Sequence, residues 1–152
     1  MSNIRVATAN DVPALMRMAR SFIAYSRHGA MIDIADSELE AQTRAILAQP
    51  NMSVFVAELD GEVVAMLIGA LTSLWFAPRK TMAAELAWWV DERARMSPIA
   101  IKLVRMYEGW ASANGAQFIT MSSLAMNSGP DVGRMLERLG YAKAEMTHIK
   151  EQ

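Results

Sequence analysis

Apolar and polar positions along the chain change period several times, and each change marks an element. "NIRVA" (3–7) has the two-residue period of a short strand. Val12, Leu15, Met16, Met18, Ala19 and Phe22 then recur near helical spacing, with Asp11 before them as a cap and Pro13 suited to a first turn. "SRHGA" breaks that helix. A second helix is predicted over 36–48, with Ser37 and Glu40 near a capping-box spacing and "QPN" as its end. "SVFVAEL" and "EVVAMLIGALTSLW", joined by Asp60-Gly61, give the clearest hairpin signal. "APRK" reads as a break after the second of these strands, and "MAAELAWWV" (82–90) as the next strand. Trp88 and Trp89 must then point to opposite faces, one onto a core and the other free to wall a channel.

From Pro98 to Asn114 the residues Ile101, Leu103, Val104, Tyr107 and Trp110 gather mostly on one side of a helix that Asn114-Gly115 stops. "AQFITMSSL" reads as a strand, "NSGP" as a loop, "DVGRMLERL" as a short helix closed by Gly140, and "YAKAEMTHIK" as a final strand. The order β-α-α-β-β-β-α-β-α-β predicts an α/β (α+β) fold. It is a single domain over 1–152, with a mixed central sheet of about six strands flanked by about four helices.

Composition narrows the chemistry. With 53% hydrophobic residues in 152, a real core is available. A net charge of −1 supplies no global basic field for nucleic acid or a membrane surface. The absence of cysteine excludes disulfides, thiolate metal sites and a Cys nucleophile, and fits a reducing compartment. The start "MSNIRVATAND" has no apolar signal segment, and the longest apolar run, "VVAMLIGAL", is too short to span a bilayer. A cytoplasmic setting is the expectation. Thirteen methionines read as adaptable core filler. The two histidines, His28 and His148, form no metal-ligand spacing, so no metal is expected.

The stretch "WWVDERARMSPIAIKL" (88–103) carries the functional signal. A buried strand runs into a charged turn, and a helix opens at a proline. A strand end meeting a helix N-terminus leaves backbone N–H groups unpaired and adds the positive end of the helix dipole. That is an anion site in outline, and an ordinary strand-to-helix turn with Arg95 in solvent has the same outline.

Taken in order, "IRVATANDVPALMRMA", "VFVAELDGEVVAMLIGAL", "ELAWWVDERARMSPIAIKLVRMYEGWASANGA" and "GRMLERLGYAKAE" resemble the opening strand and helix, central hairpin, phosphate loop and closing helix of the GNAT superfamily of acyl-CoA N-acyltransferases. The double tryptophan before the loop also looks like small phage-encoded members. The resemblance implies acyl transfer from acetyl-CoA, or another acyl-CoA, to a primary amine on a small molecule or protein. The family's loop reads Arg or Gln, two residues, Gly, one residue, then Gly or Ala. Arg95 and Ala100 match its ends, whereas Pro98 stands at the inner glycine and Met96 where another glycine is common. Trp88, Trp89, Val90, Arg95, Met96, Ser97, Pro98, Ile99, Ala100 and Ile101 are the implied cofactor-binding residues. Proline donates no N–H, so one donor is missing from this version of the loop.

The same resemblance places Glu85 where some members hold the base that deprotonates the amine. A strand-end glutamate in solvent is the other reading. The family's usual acid is a tyrosine four residues before the glycine of the closing helix, and that position is Leu136 here. Ser128 is a substitute that could hydrogen-bond the thiol sulfur. Tyr141 follows the glycine and is expected to pack. Tyr25, Arg27 and His28 fall where the fold lines the acceptor side, or else form a solvated break between helices. Met96, Pro98 and Leu136 keep a second class open, a binding or regulatory protein on the same scaffold. The exposed-looking "LTSLWFAP" (71–78) leaves a homodimer open as well.

Overall fold

The computed structural model describes residues 1–124 and 131–152. Strands β1 (Ser2–Val6), β2 (Met52–Leu59), β3 (Glu62–Leu74), β4 (Ala77–Val90) and β5 (Phe118–Thr120) form one sheet in the order β1-β2-β3-β4-β5. The first three neighbours pair antiparallel, and β4 with β5 parallel. Helices α1 (Val12–Tyr25) and α2 (Asp36–Ala48) precede β2, α3 (Ile99–Ala113) crosses from β4 to β5, and α4 (Val132–Arg138) follows.

Each face of the sheet has its own core. Leu15 and Met18 of α1 pack on Val54, Val56 and Met66, while Leu103, Val104 and Tyr107 of α3 pack on Phe55, Leu67 and Ala83. All three named α3 residues are fully buried, each worth roughly 1.5–3 kcal/mol of transfer free energy. The alternation of β2 and β3 is the reason both faces can be covered at once.

The β2–β3 turn has Asp60 at φ 52° and Gly61 at φ 83°, the two left-handed residues that the tightest hairpin turn demands. Gly69 has a different reason. A Cβ there would stand 2.7 Å from Cε2 of Tyr107, so its absence lets the α3 tyrosine lie against the strand.

Several sequence expectations change. Residues 77–80 belong to β4, and the turn of the β3–β4 hairpin falls at Trp75-Phe76. Beyond the edge of β2 only two strands pair, so Arg79 and Lys80 are simply exposed there. Among the described residues no strand forms over 141–150, and the sheet has five strands, close to the expected six. His148 accordingly lies in an exposed segment without regular structure. Asp11 does not cap α1 through its side chain. It accepts a bidentate pair from Arg5 at 2.8 Å and reaches back to the Thr8 N–H at 2.7 Å. Ser37 and Glu40 form no capping box, since α2 is capped at Ala35 without a side-chain bond and Glu40 pairs with Arg44.

Candidate active site

The site begins where β5 leaves β4. Their pairing runs only from Met82↔Phe118 to Ala84↔Thr120, while β4 continues to Val90. From Glu85 onward, among the described residues, no strand pairs with that side of β4. The first residue past the divergence is Glu85, and its Oε2 accepts a hydrogen bond from the Ser122 backbone N–H at 3.0 Å. The carboxylate thus spans the mouth of the gap. Burial pushes its pKa up to about 7, against the opposing pull of the Ser122 hydrogen bonds. Gly69 sits opposite it in the sheet, and the Tyr107 hydroxyl donates to the Thr120 carbonyl at 3.2 Å. Burial holds the Tyr107 proton tightly, with the nearby Tyr141 and Glu85 adding to the effect.

A β-bulge follows at once. Gly69 pairs with Glu85 and Ile68 with Ala87, so Leu86 has no partner of its own. The extra residue shifts the alternation by one, which puts Trp88 on the same face as Glu85. Trp88 packs against the α3-side core, and Trp89 against the α1-side core. The opposite-face expectation holds.

Trp89 is held by three side chains. Its Nε1 donates to Asp91 Oδ1 at 3.0 Å, and Asp91 is ion-paired with Arg17 at 2.9 Å. The Tyr25 ring meets it edge-on at 5.8 Å, and the Arg95 guanidinium lies 5.1 Å from its ring centroid. Arg95 Nε also donates to the Val90 carbonyl at 3.1 Å. The loop arginine is therefore folded back over the strand end. Tyr25, expected on the acceptor side, stands within one ring of it. Arg27 and His28 follow in a short 3-10 turn, both exposed.

In the loop, the Ser97 N–H is spent on the Ala94 carbonyl at 3.1 Å, and its hydroxyl donates to the same oxygen at 2.6 Å. The Ile99 N–H makes only a long 3.4 Å contact with Ser97 Oγ. Helical pairing resumes with Lys102 N–H donating to Pro98 O at 3.0 Å. Ala100 and Ile101 therefore present first-turn donors with no partner inside the helix. Met96 is 94% exposed, and its side chain touches no core.

A family model described as "Acetyltransferase (GNAT) family" matches residues 17–141, which include the strand, loop and helix just described. The chain belongs to that family. Among solved structures, a transcriptional regulator from Bacillus halodurans C-125 is 22% identical with a TM-score of 0.78, covering 100% of this chain and 99% of its own. An aminoglycoside acetyltransferase, meta-AAC0020, from an uncultured soil metagenomic sample, solved with trehalose, is 21% identical with a TM-score of 0.73 over 99% and 95%. The acetyltransferase AAC(6')-Iy in complex with a CoA-linked bisubstrate analogue is 14% identical with a TM-score of 0.79 over 100% and 98%. At these identities the likeness is one of fold. No curated protein matches the chain significantly.

The chain is a GNAT-type N-acyltransferase, a class whose donor is acetyl-CoA or another acyl-CoA. Its site fits that group on two observations. The first turn of α3 offers free N–H groups, and β4 past Ala84 has an open side. Leu136 is buried in the position of the usual acid, and Ser128 lies outside the described residues. Tyr141 is partly buried against the core, and its hydroxyl donates to Glu108 Oε1 at 3.1 Å. An open surface concavity is lined by Arg17, Asp91, Glu62 and Arg93, which form two ion pairs, Arg17–Asp91 and Arg93–Glu62.

The sequence reading did not single out Gly69, Tyr107 and Thr120, which surround Glu85, or the hydrogen bond from the Ser122 N–H that holds its carboxylate. One signal was visible, an isolated glycine inside the apolar run "AMLIGAL". No helix is long and apolar enough to cross a membrane, among the described residues.

Proposed function

We propose that the protein transfers an acetyl group from acetyl-CoA to a primary amine of a small molecule, with Glu85 as general base. The observation that carries this is Glu85 itself, a carboxylate at the mouth of the β4–β5 gap whose pKa of about 7 matches the working pH of a base. Acetyl-CoA, when bound, supplies the thioester carbonyl that the amine attacks. Glu85 takes the amine's proton, directly or through one water, while the Ser122 N–H keeps the carboxylate oriented. The α3 N–H groups of Ala100 and Ile101, with the helix dipole, hold the pyrophosphate. Arg95 adds a charge-assisted contact once it leaves Val90 O. Ser128 is the proposed donor toward the thiol sulfur, because Leu136 carries no proton to give.

The amine side is lined by Tyr25, Arg27 and His28, beside Trp89. Aminoglycosides, the substrates named for several neighbours of the same fold, are the first acceptors to try. Trp75 and Phe76, 91% and 66% exposed at the hairpin tip, are the surface for a homodimer. The cysteine-free chain suits the cytoplasm. A regulatory protein that binds acetyl-CoA without using it is the alternative, favoured by Leu136 and by the internal bonding of Ser97.

The test is calorimetry of acetyl-CoA binding together with mass spectrometry of a panel of aminoglycosides and polyamines after incubation. Binding with an acetylated product supports the enzyme. Binding without any product supports the regulatory alternative. A flat titration on folded protein ends both.

A further inference from the structure

Among the described residues, one buried side-chain polar atom has no hydrogen-bond partner, and it is Nε1 of Trp88. The place of that atom gives it meaning. Trp88 pairs across the sheet with Leu67 and, because of the bulge at Leu86, shares the face of Glu85. It lies on the part of β4 that β5 no longer accompanies. Its ring packs against the apolar α3-side cluster of Leu67, Leu103 and Tyr107.

A buried indole N–H nearly always has an acceptor, and leaving one unpaired costs the full desolvation penalty of the donor. A phenylalanine would fill most of the same space without that penalty. A lone water would be poorly held, since it needs two to four polar partners and the surrounding cluster is apolar. Trp89 supplies the contrast on the next residue, because its own Nε1 has Asp91.

We propose that the Trp88 indole N–H is a positioning donor for a carbonyl oxygen of the acyl-CoA arm, either the thioester carbonyl or a pantetheine amide carbonyl. The assignment rests on the acetyl-CoA reading above. A thioester oxygen held there would be polarised as the amine deprotonated by Glu85 attacks. An amide oxygen held there would fix the depth to which the arm enters.

The experiment is calorimetry of acetyl-CoA and of CoA with wild type and Trp88→Phe, alongside urea unfolding of the ligand-free proteins. The free variant should stay close to wild type in stability, because an unpaired donor and part of the ring volume are lost together. Its acetyl-CoA affinity should fall about 5- to 20-fold, the scale of one hydrogen bond lost from a buried site. An equal fall for CoA identifies a pantetheine carbonyl, and a fall for acetyl-CoA alone identifies the thioester. Unchanged affinity for both ligands in a folded variant overturns the assignment while leaving acetyl-CoA binding intact. A wild type that binds neither ligand overturns the acetyl-CoA reading and this assignment together. If Trp88→Phe does not fold, benzothienylalanine at position 88 keeps the ring shape, removes the donor and is judged by the same outcomes.

Discussion

Asp11 and Glu85 are two carboxylates withdrawn from open water, and their proton affinities move in opposite directions. Asp11 lies at the antiparallel end of the sheet, where hydrogen bonds from Arg5 outweigh burial and hold its pKa at about 2. Glu85 lies where β5 departs, meets no cation, and is pushed up to about 7 by burial. The first arrangement ties β1 and β2 to the start of α1, since Arg5 also pairs with Glu58. The second keeps a proton acceptor poised near neutrality at a gap. The proposed function thus puts chemistry at the Glu85 end of the sheet, while the Asp11 network serves stability at the other.

The largest expected effect breaks the chemical end alone. Glu85→Gln should lower kcat for acetyl transfer by about 10²–10⁴-fold, the usual contribution of a general base, and leave acetyl-CoA affinity within about twofold. A fall in affinity that accounts for the lost rate would instead make Glu85 a binding residue.

Removing Arg5 should do the converse. Arg5→Ala leaves Asp11, 6% exposed, with an uncompensated charge. Because Arg5 itself is 32% exposed, the cost should be about 2–4 kcal/mol, below the full penalty for breaking a buried pair. Urea midpoints measure it, and acetyl-CoA affinity should not move.

The two ends also differ in the sign of their pH dependence. Asp11 has a folded pKa below its ordinary 3.8, so its contribution is fully present above that value and is lost as pH falls through about 2. Glu85 has a folded pKa above its ordinary 4.5, so its contribution is present below 4.5 and is lost as pH rises through about 7. Glu85→Gln should therefore stabilise the protein at pH 8 by about 1–3 kcal/mol and leave it nearly unchanged at pH 4. Urea titrations at the two pH values would show whether the difference exists.

At the loop, Arg95→Ala should weaken acetyl-CoA binding by about 1–2 kcal/mol, the scale of a hydrogen bond to a charged group. Pro98→Gly restores a donor at the helix start and should raise affinity, with a loss of stability of about 1 kcal/mol from a freer unfolded chain. Calorimetry on both variants sharpens the contrast between a working and an abandoned loop.

How much of this was legible depended on how local each feature is. The Asp60-Gly61 turn, the limits of α2, the opposite faces of Trp88 and Trp89 and the loop at Arg95 follow from neighbours in the chain, and the structure has them. The bulge at Leu86 was not legible, because it is a mismatch between two strands and leaves no mark on one. "YAKAEMTHIK" alternates like a strand, but a strand exists only with a partner, and none of the described residues pairs with it. Arg79 and Lys80 looked like a break because polar residues end most strands, yet a two-stranded tip tolerates them. Glu85 could be placed on its strand from sequence. Its pKa of about 7 comes from burial at a divergence that the packed sheet defines.

The central claim is that Glu85 is a base tuned by its place at the β4–β5 gap. The pH profile of kcat/KM for acetyl transfer, measured side by side on wild type and Glu85→Gln with one amine acceptor, tests it most directly. The acid limb of the wild type should rise through an apparent pKa near 7 and level off above it. Glu85→Gln should lack that limb and show only the titration of the acceptor amine. A wild-type limb that persists unchanged in Glu85→Gln would contradict the account.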